Sequence, residues 1–150
     1  MYSIVVLASG TGSNFSAIVD AINAGALRAR ITSLITDRPA VPVLEKANRA
    51  RVPTVVLDRK RYGRGLSDAI LETVGAKNDL IVLAGFLSIL SGSILEIYRN
   101  RIINLHPALL PKYGGKGMYG SHVHAAVVAA RETESGCTVH YVDEGTDTGP

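Results

Sequence analysis

The stretch Ile4-Val5-Val6-Leu7-Ala8-Ser9-Gly10-Thr11-Gly12-Ser13-Asn14 decides the fold. An unbroken apolar run closed by a Ser/Gly/Thr cluster predicts a strand buried on both faces. A helical pattern follows over 14–24, where Phe15, Ile18, Val19 and Ile22 recur at the spacing of one helix face. Gly25 suits its C-terminal end. Beyond this unit the same alternation repeats. Strands are predicted over 31–35, 54–57, 80–84, 101–105 and 137–142. Helices are predicted over 41–51, 66–74, 91–99 with Ser91 as N-cap, and 121–131. Strand and helix alternating through short connections imply an α/β, doubly wound, mainly parallel sheet with helices on both faces.

No repeat, low-complexity stretch or linker divides the chain, so a single domain over 1–150 is expected. Its last residues, Asp147-Thr148-Gly149-Pro150, read as a turn directly after a strand. The expectation is a domain truncated at its C-terminal end. The one long irregular segment, 107–120, is rich in Gly and Pro; such a loop in a compact domain is usually functional.

Composition narrows the class. Of 150 residues, 47% are hydrophobic and 19% charged, enough apolar material for a core and too much for a disordered chain. The net charge of +3 is a mild basic excess that does not by itself indicate nucleic acid and suits a small anionic substrate equally well. One cysteine, Cys137, permits neither an intramolecular disulfide nor a cysteine metal framework, and fits a reducing compartment. The apolar segment 2–8 is too short to span a membrane and lacks a basic flank. The expectation is a soluble, cytoplasmic protein with neither membrane nor nucleic acid as partner.

In an open parallel sheet, ligands bind at the carboxyl ends of the strands. Four segments fall there: 9–14, 85–90, 104–111 and 143–147. In the first, two glycines allow a tight turn into a helix whose N-terminal amides form an anion site, typically for phosphate. A third glycine is missing for the dinucleotide fingerprint, and no Gly-Lys-Ser/Thr follows for a Walker A loop. The plainer alternative is a strand-to-helix turn capped by Ser13 or Asn14. Asn104 and His106 lie two apart at a strand end and so face one way, an amide donor beside an imidazole, which suits a developing oxyanion on an acyl carbon. Alternatively, both satisfy loop backbone groups. A carboxylate of 143–147 could reach His106 from a neighbouring strand end, or the segment is an acidic surface turn. His122 and His124 do not share a helix face, so no metal site is expected; His122 rather than His124 is expected in the cleft. Of the basic cluster Arg59, Lys60, Arg61 and Arg64, Arg64 is expected to reach the anion held by the Gly12 loop, the others being solvated.

Taken together, these segments resemble the folate-dependent formyltransferase family. Asn104-Leu105-His106-Pro107-Ala108-Leu109-Leu110-Pro111 is similar to its Asn-x-His-Pro-Ser-Leu-Leu-Pro core, with Ala108 in place of Ser. Leu83-Ala84-Gly85-Phe86-Leu87-Ser88-Ile89-Leu90 resembles its folate-side segment, and Asp147-Thr148-Gly149-Pro150 the start of its acidic-loop motif. The first loop is similar to that of members acting on glycinamide ribonucleotide. The resemblance implies a Rossmann-like formyltransferase fold. It also implies transfer of a formyl group from 10-formyltetrahydrofolate to the amine of 5-phosphoribosylglycinamide in purine synthesis, without a metal, by a monomer or homodimer.

The same resemblance implies roles. Asn104 and a protonated His106 would stabilise the oxyanion, and Asp147 would support His106 and move the amine proton. Gly12, Ser13 and Asn14, with Arg64, would hold the phosphate. Phe86, Leu87, Ser88, Ile89 and Leu90, with Val142, Asp143 and Glu144, would hold the pterin. Two departures stand out: the loop 112–120 is longer than in many members, and Ser88 stands where several carry Arg. The competing readings are a related enzyme acting on another amine and a non-catalytic nucleotide- or phosphate-binding Rossmann-like module. A dehydrogenase-like domain fits the glycine pattern poorly, and Asp37 lies beside a Pro-containing turn.

Overall fold

The computed structural model describes all 150 residues. Strands β1 (Tyr2–Leu7), β2 (Ala29–Thr36), β3 (Thr54–Val56), β4 (Leu80–Leu83), β5 (Ile102–His106) and β6 (Thr138–Tyr141) form one sheet in the order β3-β2-β1-β4-β5-β6. The first five run parallel, and β6 is antiparallel to β5. The expected architecture is present.

The central strand explains why the chain winds both ways. Successive side chains of β1 point to opposite faces, and all from Ile4 to Leu7 are buried. Ile4 and Val6 join Leu34 and the helices α1 (Ser13–Asn23) and α2 (Pro42–Arg49), through Phe15, Val43 and Ala47, in one core. Val5 and Leu7 join Ile35 and Ile81 in a second core on the opposite face. There the helices α4 (Leu66–Val74) and α5 (Ser93–Ile97) supply Leu66, Ile70, Val74 and Ile94. A strand without a polar face needs cover on both sides, and the two helix layers provide it.

Local details differ from expectation. The helix predicted from 91 begins at Ser93, because Gly92 (φ 75) occupies its N-cap while the Ser91 amide donates to Ser67 Oγ at 3.0 Å. The basic segment after β3 forms a short helix α3 (Arg59–Tyr62), not anticipated from its charge. Its N-cap Asp58 accepts from the Lys60 amide at 3.0 Å, and a 3-10 turn Gly63–Gly65 follows. Helix α6 (Ser121–Ala129) stops short of 131, where Arg131 adopts a left-handed conformation (φ 54) that ends a helix. No helix is long and apolar enough to cross a membrane.

A polar tie closes the edge of the sheet opposite the strands' carboxyl ends. Ser3 donates to Asp79 Oδ2 from its amide (2.7 Å) and its hydroxyl (2.8 Å), joining the starts of β1 and β4. The amide bond first, then the hydroxyl bond, hold the Asp79 carboxyl below its ordinary value of 3.8. A folded-state value below the unfolded one contributes stability above the unfolded value and loses it as pH falls through the folded value. Asp79→Asn is therefore expected to destabilise the protein at neutral pH, the deficit shrinking as pH drops below 3.8. Thermal unfolding of both proteins from neutral pH into acid checks this; a constant deficit at every pH would contradict it.

Candidate active site

A cleft of about 750 Å³ opens where the strand order reverses, between the carboxyl ends of β1 and β4, and extends to β5. That volume is typical of small-ligand sites.

One wall is the first loop. Gly12 is the N-cap of α1 with φ 75, and no side chain caps this helix. Neither Ser13 nor Asn14 is therefore a cap. Gly10, Gly12, Ser13 and Asn14, the loop and first turn of α1, instead border the cleft. Gly12 is required twice: its conformation disfavours a side chain, and a Cβ would overlap the side chain of Val43 on α2. Gly12→Ala is expected to cost about 2–4 kcal/mol through backbone strain plus overpacking. Gly10→Ala serves as control, since nothing lies within 4 Å of its Cβ. Urea unfolding of the two variants measures the difference.

The opposite wall carries the acid–base groups. Asn104 and His106 lie on one face of β5, as their spacing predicts. The antiparallel register sets His140 directly opposite Asn104. His140 is buried (6% exposed) and its Nδ1 faces the Tyr141 carbonyl at 3.1 Å. A carbonyl only accepts, so Nδ1 carries the proton and Nε2 accepts from Asn104 Nδ2 at 3.1 Å. One amide hydrogen of Asn104 thus orients the carboxamide and the other is left for a ligand. His106 is 2% exposed, and its Nε2 donates to the Tyr113 carbonyl at 2.6 Å. Nδ1 faces Asp147 Oδ2 at 3.6 Å.

Asp147 reaches this place by an unexpected route. Because β6 is antiparallel, it begins beside His106 and ends beside Ile103, so 143–147 does not leave the sheet at the ligand-binding edge. The segment folds back through a turn. Asp143 accepts from the Thr148 hydroxyl (2.7 Å) and the Gly145 amide (2.9 Å), and these bonds, in that order, lower its carboxyl below the ordinary range. Gly149 packs where a Cβ would run into the Tyr141 carbonyl. Asp147 then stands with Oδ1 3.6 Å from His140 Nε2, while Oδ2 accepts from the Gly115 amide at 2.9 Å.

Phe86, Leu87, Ser88, Ile89 and Leu90 line the cleft between these walls, together with Val142 and Asp143. Buried Asp37 anchors this segment. It accepts from the hydroxyls of Ser9, at 2.6 Å, and Ser88, and Ser9 Oγ accepts from the Leu87 amide at 2.8 Å. Ser88 thus holds the segment to the end of β2. Ala108 is 1% exposed and packs with Val123 and Val127, a site suited to a methyl group.

Three expectations are corrected. Arg64 is exposed on the 3-10 turn after α3 and does not border the cleft; Arg38, following β2, does. His124 borders the cleft, whereas His122 turns its Nδ1 to the Gly117 carbonyl (3.2 Å) and packs on Tyr119. Glu144 lies outside, its neighbours Asp143 and Gly145 inside. Sequence reasoning missed His140 and Arg38. Arg38 carried a legible signal, a cation just past a strand's carboxyl end; His140 became visible only through the direction of β6. No group of three or more His, Cys, Asp or Glu side chains is arranged to hold a metal ion.

Comparison with known proteins gives a consistent result. The model of a family described as formyl transferase matches residues 2–150. The chain is 38% identical over 153 residues to phosphoribosylglycinamide formyltransferase of Bacillus subtilis, covering 100% of this chain and 76% of that one. It is 43% identical over 151 residues to the trifunctional purine biosynthetic protein adenosine-3 of Drosophila melanogaster, covering 97% of this chain but only 11% of that protein. The crystal structure of glycinamide ribonucleotide transformylase 1 from Symbiobacterium toebii superposes with a TM-score of 0.92 at 35% identity, over 100% of this chain and 70% of that one.

Proposed function

The chain belongs to the formyl transferase family, and from that premise we propose that it transfers a formyl group from 10-formyltetrahydrofolate to the amine of 5-phosphoribosylglycinamide, a step of purine synthesis. The observation that carries this reading is the meeting of Asn104, His106 and Asp147 across one cleft from an uncapped, glycine-built helix N-terminus. The first end is suited to acyl transfer and the second to a phosphate. The names of the Bacillus and Symbiobacterium relatives support the same acceptor. We read the 150 residues as a single formyltransferase domain. A cytoplasmic setting belongs to the same reading and rests on the lone cysteine, Cys137.

In this proposal the cleft fits both molecules. The amides of Ser13 and Asn14, with Arg38 nearby, receive the acceptor's phosphate. Phe86, Leu87, Ile89, Leu90 and Val142 offer apolar contact to the pterin, with Ser88 and Asp143 beside them. The acceptor's amine attacks the formyl carbon, a carbon–nitrogen bond forms, and negative charge develops on the formyl oxygen. Asn104 meets that charge with its free N–H and the protonated His106 ring with Nδ1–H on the cleft side, its Nε2–H remaining on the Tyr113 carbonyl. Asp147 faces Nδ1, holds the ring's charge in place, and takes up the proton released by the amine, directly or through water, for delivery to the leaving folate nitrogen.

The test is an assay of purified protein with 10-formyltetrahydrofolate and two acceptors, 5-phosphoribosylglycinamide and its dephosphorylated riboside. Transfer to the first and far weaker transfer to the second are expected. Equal rates would remove the phosphate role of the first loop, and no transfer by folded protein to either acceptor would overturn the reading.

A further inference from the structure

His106 is held by a carbonyl whose own position depends on surface residues. Its Nε2 donates to the Tyr113 backbone oxygen at 2.6 Å. This bond turns Nδ1 towards Asp147 and the cleft. Tyr113 is not free to place that carbonyl by local preference, because it sits at φ 58, a region that residues with side chains rarely adopt. Its side chain is fastened instead. The phenol donates to Glu132 Oε1 at 2.8 Å, and the Lys112 ammonium contacts the same oxygen at 3.3 Å. The body of Tyr113 packs on the small core of Ala108, Val123 and Val127. Two residues on, the Gly115 amide holds Asp147. The turn 113–115 therefore touches both members of the His106–Asp147 pair from behind.

We propose that Tyr113, latched by Glu132, is a positioning residue that fixes the orientation of the His106 ring for the transfer reaction. The inference rests on the reading that His106 takes part in formyl transfer. The bonds from Tyr113 and then Lys112 hold the Glu132 carboxyl below its ordinary range, so the acceptor stays charged at neutral pH. A merely structural pair would affect stability alone. A positioning latch acts on the chemical step and leaves ligand binding, built by other segments, largely untouched.

The test uses Tyr113→Phe, Glu132→Ala, Glu132→Gln and the Tyr113→Phe/Glu132→Ala double variant. Two readouts are taken: kcat and KM with 10-formyltetrahydrofolate, and solvent exchange of the His106 Nε2 proton by NMR. Tyr113→Phe and Glu132→Ala are each expected to lower kcat roughly ten-fold, the size of one charge-assisted hydrogen bond, with KM little changed. The double variant should be no worse than either single one. Glu132→Gln, which keeps an accepting oxygen, should recover most of the rate. The Nε2 proton should exchange faster in Glu132→Ala than in the parent. Unchanged exchange and unchanged kcat in folded variants would overturn the latch, as would a Glu132→Gln variant as slow as Glu132→Ala. If the parent transfers no formyl group, the functional reading falls by itself, and the exchange measurement still decides whether Tyr113 and Glu132 hold the ring.

Discussion

His106→Ala is expected to lower kcat for formyl transfer by about a thousand-fold, within the range of general acid–base and oxyanion contributions. The effect is large because the ring links two groups at once. Nε2 is tied to Tyr113 and Nδ1 faces Asp147, so its removal deletes a donor and also leaves Asp147 without its partner on one side. Asp147 keeps the Gly115 amide, and the turn before it keeps the bonds of Asp143 to Thr148 and Gly145, so the acidic turn should hold its place and the variant should fold. Single-turnover kinetics at saturating 10-formyltetrahydrofolate isolate the chemical step. A loss of only a few-fold, with circular dichroism matching the parent, would remove His106 from the chemistry.

Asn104→Ala is expected to reduce kcat by about a hundred- to a thousand-fold, the usual consequence of deleting one oxyanion donor, with KM for both substrates little affected. The carboxamide is oriented by its bond to His140 Nε2, and its second N–H, on a residue that lines the cleft, is left as the donor for the oxyanion. His140→Ala therefore provides an internal comparison. It removes the orienting acceptor but leaves the donor, and should cost less than Asn104→Ala. Equal effects would mean that Asn104 works only when held. A negligible effect of Asn104→Ala would remove its oxyanion role.

Much of this arrangement is legible in the chain itself. The run Ile4 to Leu7 predicts a strand covered on both faces, and the two cores on either side of β1 are that prediction realised. The i, i+2 spacing of Asn104 and His106 predicts their shared face. The glycines of the first loop predict a tight turn into a helix, and Gly12 with φ 75 makes it. Each rests on a local period or on one residue's backbone preference, and such properties survive without knowledge of the rest of the fold.

What the sequence could not settle is just as specific. The run over 137–142 reads as a strand, but nothing in its pattern gives its direction. Antiparallel pairing with β5 sets His140 opposite Asn104 and forces 143–147 to fold back before Asp147 can meet His106. Arg64 and Arg38 are both cations that follow strands, and Arg38 alone borders the cleft because helix α3 and its 3-10 turn carry Arg64 to the surface. Likewise His124 rather than His122 borders the cleft, a matter of how α6 is rotated against the loop before it. By itself the sequence determined the six strands, the main helices and the edge of the sheet where the candidate site lies, because periodicity and turn chemistry act over a few neighbours. Only the tertiary structure decided which side chains meet there, because pairing direction and helix rotation are set by contacts between residues far apart in the chain.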